Sequence, residues 1–230
     1  MQRIALSACA LAAALGGCAK PTRIMTRPLP DPLLRTPHAR PPRIEPARPP
    51  RRRELPPPQP GPSVELNARD VIPPRGITPG RWNVIVVHHS ASDNATPEGM
   101  DNYHRNERGW VNGLGYHFVI GNGVNTSDGR VYVGARWRRQ ISGAHCKSPS
   151  GRYFGVWRRS NYFNAHGIGV CLIGNFEKHS PTPRQLAALE QLAELLCSEI
   201  GIDPAHIYGH CDVTHKTLCP GRYLRAKLPH

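Results

Sequence analysis

Acidic residues are scarce in this chain: 16 Asp and Glu stand against 30 Lys and Arg, a formal charge of +14 over 230 residues. So positive a balance invites nucleic acid as a partner, but aromatic residues are scarce too, at 7%. They do not interleave with the cations into a stacking platform and no nucleic-acid motif is present, so no nucleic-acid partner is expected. No apolar run reaches the ~20 residues of a membrane-spanning helix. There are no internal repeats, and the HExxH signature of zinc peptidases is missing. What the chain has in excess is Pro (25), Gly (22), His (12) and Cys (7). Such counts do not describe a uniform globule, so the composition must change along the chain.

It changes first at the N-terminus. Arg3 precedes an apolar run from Ile4 to Leu15, and small residues lead to Cys18. That order reads as a secretory signal over residues 1–17. The ending Leu15-Gly16-Gly17-Cys18 resembles the lipobox of bacterial lipoproteins. The resemblance implies lipidation of Cys18, export, and a membrane anchor facing the periplasm. Ala19, where an Asp would favour inner-membrane retention, tilts the choice of membrane to the outer one.

Residues 18–80 read as a tether. Between Lys20 and Pro62, ten Arg and Lys face three acidic residues, and no helical or strand period appears. Such a stretch buries too little apolar surface to fold and favours extended polyproline, with a reach on the order of 100 Å. Its cations either bind anionic lipid or wall polymers or serve only as a solvated spacer. Residues 63–80 are transitional.

From 81 to 230 the pattern is that of one globular domain. NVIVVHH (83–89), YHFVI (116–120), RVYV (130–133), GIGVCLI (167–173) and a short run at 206–208 read as strands. Residues 97–108 read as a helix, as does the stretch after Thr182. There Thr182 caps, Pro183 opens, Gln185 completes a capping box and Gly201 stops. Leu186, Leu189, Ala193, Leu196 and Ile200 form its apolar face. A loop and a last helix after Pro220 follow, while residues 134–159 look loop-rich. Strands alternating with helices predict an α/β fold, a central mixed β-sheet flanked by helices.

Two clusters carry chemistry. A buried strand ends in His88-His89, and alternation sends these to opposite faces, so one of them is a ligand candidate. The second cluster runs from His210 to Gly221 and offers imidazole and thiolate donors. Zinc favours such donors, and a catalytic zinc uses three protein ligands and an open position. Locally the same Cys residues fit disulfides equally well.

The order of several segments adds a resemblance. VVHHSAS (86–92), YHRNERGW (103–110), GYHFVI (115–120), GAHC (143–146), GIGVCLIGNF (167–176) and GHCDVTHKTLCPG (209–221) resemble, in sequence, the amidase family of the phage lysozyme-amidases and peptidoglycan recognition proteins. The resemblance spans nearly all of residues 81–230. It implies Zn2+ on His88, His210 and Cys219, with Tyr116 catalytic. Thr217 matches a position that is Lys or Thr in the family. The interval from His210 to Cys219 is one residue longer than usual, which leaves Thr217 and Lys216 as alternatives. His145 and Asn175 are candidates for substrate contact, with a supporting place behind the ligands as the alternative for His145. Trp110 to Tyr116 is also one residue longer than usual. A related cytoplasmic branch has Asp as third ligand and a catalytic Glu where this chain has Cys171, and is therefore disfavoured.

The implied activity is hydrolysis of the amide between N-acetylmuramic acid and L-alanine in peptidoglycan by a monomer. Zinc would acidify a water and polarise the carbonyl, with Tyr116 and Thr217 or Lys216 stabilising charge. No carboxylate base stands out. The rival reading is a peptidoglycan-binding module without catalysis. Family members of that kind generally lack the Cys, which this chain keeps at 219. Cys146, Cys171, Cys197 and Cys211 remain, and a Cys146–Cys211 bridge is one pairing open to them.

Overall fold

The computed structural model describes residues 66–228. The signal segment, Cys18 and the Pro/Arg-rich tether lie outside the described residues. The strands are β1 (Val84–His89), β2 (Phe118–Ile120), β3 (Val131–Val133), β4 (Gly151–Tyr153), β5 (Val156–Arg158), β6 (Gly167–Leu172) and β7 (Ile207–Gly209). Five of them form one mixed sheet in the order β3-β2-β6-β1-β7, and β4 and β5 form a separate hairpin. β1 lies parallel to both β6 and β7, and β2 parallel to β6, while β3 pairs antiparallel with β2 at the edge.

A parallel sheet is stable only when both faces are covered, and the sequences of β1 and β6 answer this with unbroken apolar runs. On one face Ile85, Val87, Phe118, Ile120, Ile168, Val170 and Leu172 pack beneath the long helix. On the other, Val84 and Val86 meet Cys146, Phe163 and Val213. Val119, Cys171 and Ile173 meet Leu114 there. His88 continues the Val84–Val86 side of β1.

The helices are α1 (Ala68–Val71), α2 (Pro97–Asn106), α3 (Ala135–Arg138), α4 (Tyr162–His166), α5 (Pro183–Ile200), α6 (His210–Val213) and α7 (Arg222–Arg225). α5 begins as its sequence predicts. The Thr182 hydroxyl accepts from Gln185 N–H, Gln185 returns the bond, and Gly201 takes the left-handed conformation at φ 79°. Its buried stripe is rotated from the expected one. Gln185, Ala188, Leu189, Leu192 and Leu196 face the sheet, while Leu186, Ala193 and Ile200 are only partly buried.

Three further differences from the expected elements appear. Packing begins upstream of residue 81, because Val71 is buried and the Trp137 indole donates to its carbonyl at 2.7 Å. Gln140 Oε1 ties the segment again, accepting from Thr78 N–H and the Trp82 indole at 3.1 and 2.7 Å. Residues 134–159 contain α3 and the β4–β5 hairpin. Finally, His210 opens a helical turn, α6, in the stretch that reads as a loop.

Candidate metal centre

Parallel pairing builds the site. Val87 of β1 lies opposite Gly209 of β7, so the next residues, His88 and His210, come side by side where both strands run out. The ring centroids are 4.6 Å apart. Polar residues at the carboxyl ends of parallel strands are the usual place for a site in such a sheet. His89 turns away, as alternation requires, and its Nδ1 accepts from Phe176 N–H at 3.2 Å.

Cys219 arrives on the returning loop. Its carbonyl accepts from Cys211 N–H at 2.6 Å. Its own N–H donates to Thr217 Oγ1 at 3.1 Å. Its Sγ accepts from His89 N–H at 3.4 Å and lies 3.6 Å from His88 Nδ1. One ligand atom from each of His88, His210 and Cys219 falls within 4.8 Å of the others.

The electrostatics suit a soft divalent cation. Burial, with His145 and His210 adding to it, holds His88 well below the ordinary histidine range. Burial brings His210 down to about 4. Both imidazoles are therefore neutral at pH 7, with lone pairs to give. Burial pushes the Cys219 thiol up to about 12, so it needs a cation beside it to ionise. Two imidazoles and one thiolate are donors that zinc favours. Zinc bonds to S and N at tetrahedral angles would place those atoms roughly 3.5 to 3.6 Å apart, and the Sγ–Nδ1 distance here is 3.6 Å. The residues fit the ion.

The family model described as N-acetylmuramoyl-L-alanine amidase matches residues 78–222. The chain belongs to this family. Among curated amidase-family relatives, peptidoglycan-recognition protein SC1a of Drosophila melanogaster is 28% identical over 148 residues, covering 60% of this chain and 68% of the relative. Peptidoglycan-recognition protein LB of the same organism is 31% identical over 159 residues, 64% of this chain and 59% of the relative. Among solved structures, the endolysin N-acetylmuramoyl-L-alanine amidase LysCS from Clostridium intestinale is 32% identical, covers 62% of this chain and 77% of its own, and superposes with a TM-score of 0.49.

Around the three amidase-family ligand candidates, Tyr116 sits just ahead of β2, its ring 5.2 Å from that of His88. It is hydrogen-bonded to the Cys171 side chain, and burial raises its hydroxyl well above the usual phenol range. Thr217 is half-buried beside Cys219, whereas Lys216 is exposed. The side-chain carbonyl oxygen of Asn175 accepts from Glu177 N–H at 3.2 Å and closes a turn.

His145, a candidate for substrate contact, lies instead beneath His88. It is 9% exposed, its Nδ1 is 3.0 Å from His88 Nε2, and its Nε2 is 3.2 Å from Gly167 O. Cys146 and Cys211 are both free thiols, so the bridge between them is not formed.

Sequence reading missed Gly143 and Gly169. A Cβ on either would stand 2.3 or 2.5 Å from His145 Cδ2, so both glycines make room for that ring. The signal was there for Gly169, since a glycine inside a buried strand marks a close approach.

Proposed function

We propose that the protein is a zinc-dependent N-acetylmuramoyl-L-alanine amidase that severs the stem peptide from the muramic acid of peptidoglycan. The observation that carries this reading is the convergence of His88, His210 and Cys219, with the Sγ–Nδ1 spacing of a tetrahedral zinc site. The names of the relatives, recognition proteins and amidases of peptidoglycan, supply the substrate class.

A zinc ion held by these residues would act as a Lewis acid towards the scissile carbonyl and would acidify a water molecule towards neutrality. The protein supplies the rest. Tyr116 keeps its proton at neutral pH and so can donate to an oxygen that gains negative charge. The Thr217 hydroxyl, which accepts from Cys219 N–H, would make a second such donation. No carboxylate belongs to the ligand cluster. The leaving group is the stem-peptide amine, and the other product is a lactyl carboxylate. Export on the signal segment and anchoring at Cys18, with the basic tether as reach, would bring this chemistry to the wall.

The test is a digest of purified peptidoglycan by the full chain, with and without a chelator, scored for new lactyl carboxylates and free stem amino termini. Release of both, abolished by chelator and restored by zinc, is expected. Absence of new ends, with wall binding retained, would favour the binding-module reading over catalysis. Full activity in Cys219→Ala would refute the ligand assignment.

A further inference from the structure

We propose that His145 is a positioning residue that sets which nitrogen of His88 faces the metal, and thereby the affinity of the site. This rests on the reading of His88, His210 and Cys219 as a metal centre, and not on amide hydrolysis.

Gly167 O is 3.2 Å from His145 Nε2. A carbonyl can only accept, so Nε2 of His145 carries the hydrogen. In the neutral ring Nδ1 then holds a lone pair, and it faces His88 Nε2 at 3.0 Å. That contact is a hydrogen bond only if His88 donates. His88 must therefore carry its hydrogen on Nε2 and its lone pair on Nδ1, the atom 3.6 Å from Cys219 Sγ. Two hydrogen bonds in series, ending on a β6 carbonyl, fix one tautomer of the ligand. Both ring nitrogens of His145 are taken up in this series, one facing His88 and the other Gly167 O, and neither meets a carboxylate.

The ring that does this is held without slack. Asn164 Oδ1 accepts from both His145 N–H and Cys146 N–H, at 2.8 and 2.7 Å. Gly143 and Gly169 both lie close against the ring, and His117 crosses it edge-on at 5.7 Å. A flipped ring would offer carbon to both partners. Groups that orient a metal-binding His through its far nitrogen are worth about 10–100-fold in metal affinity.

The experiment has two arms. Ring 15N spectra of the metal-free full chain report the tautomer of each histidine directly. His88 protonated on Nε2 and bare on Nδ1 is the expected result, and His88 protonated on Nδ1 overturns the proposal. In the second arm zinc affinity is measured by competition with a chelator in His145→Leu and His145→Asn. Asn retains an oxygen near the Nδ1 position and can accept from His88, and Leu cannot. The Leu variant should bind zinc about 10–100-fold more weakly, and the Asn variant should recover most of that loss. Equal affinity in wild type and Leu, or equal weakness in Leu and Asn, overturns the proposal. If Leu does not fold, the tautomer arm still decides. A wild-type chain that binds no zinc would sink the metal reading instead, and one that binds zinc but cuts no wall would sink only the amidase reading.

Discussion

Zinc uptake should release one proton per ion from the protein at pH ~6, below the range where a zinc-bound water ionises, and that proton should come from Cys219. Without a cation, burial raises this thiol from 9 to about 12. At pH 7 roughly one molecule in 100,000 then carries the thiolate that the ion requires. The three units above the ordinary value correspond to about 4 kcal/mol of apparent metal affinity given up to burial. The two imidazoles add no protons, because burial keeps His210 near 4 and His88 lower than usual. The Cys219 proton alone should therefore make the apparent affinity rise about tenfold for each unit of pH between 6 and 8. Below pH ~4 a second proton enters the count as His210 becomes charged in the metal-free chain. Calorimetric zinc titrations in buffers of different ionisation enthalpy give the number of protons directly. At pH ~6, where a zinc-bound water still keeps its proton, a count of zero would mean that the thiolate forms without the ion, and a count of two that one of the imidazoles is charged. Either result would refute the account of how burial prepares these ligands.

Three other perturbations follow from the same packing. His117 is fully buried and burial holds it down to about 3, so the unfolded chain binds a proton below pH ~6.5 that the folded chain refuses. The stability this group contributes is present above pH 6.5 and is lost as pH falls towards 3, at about 1.4 kcal/mol per unit; urea midpoints that stay flat from pH 6.5 to 4.5 would contradict it. Tyr116→Phe should leave zinc affinity unchanged but lower peptidoglycan turnover by about 10²–10³, the loss of one donor to a developing oxyanion; wild-type turnover would remove Tyr116 from the mechanism. Thr182→Ala deletes the α5 cap and its bond to Asp128, 2.6 Å long, and should cost about 1 kcal/mol in chemical denaturation with zinc binding intact.

The parts of the molecule legible in the sequence are those encoded locally. The α5 boundaries follow from Thr182, Pro183, Gln185 and Gly201, and the pleat alone predicts the divergence of His88 and His89. The rotated stripe of α5 was not legible, because Leu186 and Ala193 are as apolar as Leu192. Only the position of the sheet decides which of them is covered. The N-terminal limit of packing was hidden for a similar reason. Pro73-Pro74 and Pro79-Gly80 read as breakers, yet Val71 and Thr78 are tied down by Trp137 and Gln140, more than 60 residues away.

The site itself combines both kinds of information, and this explains which of its details resisted reading. His88 and His210 are neighbours through strand register, a tertiary fact that no spacing of 122 residues reveals. Cys219 is local to His210, but the sequence left Thr217 and Lys216 as rivals for the place beside the ligands. The backbone of the loop separates the two. Thr214 N–H returns to His210 O at 2.9 Å to close α6, and Lys216 N–H donates to Thr214 O at 2.6 Å in a tight turn. That turn leaves the Lys216 side chain exposed. Thr217 then faces inward, and its hydroxyl accepts from the N–H of Cys219. With that oxygen lone pair engaged, the hydroxyl hydrogen is free to point away from the backbone. Thr217→Val, which keeps the shape and deletes the hydroxyl, should therefore depress turnover more than Lys216→Ala does. The opposite ranking, measured on the same peptidoglycan, would return the role to the lysine.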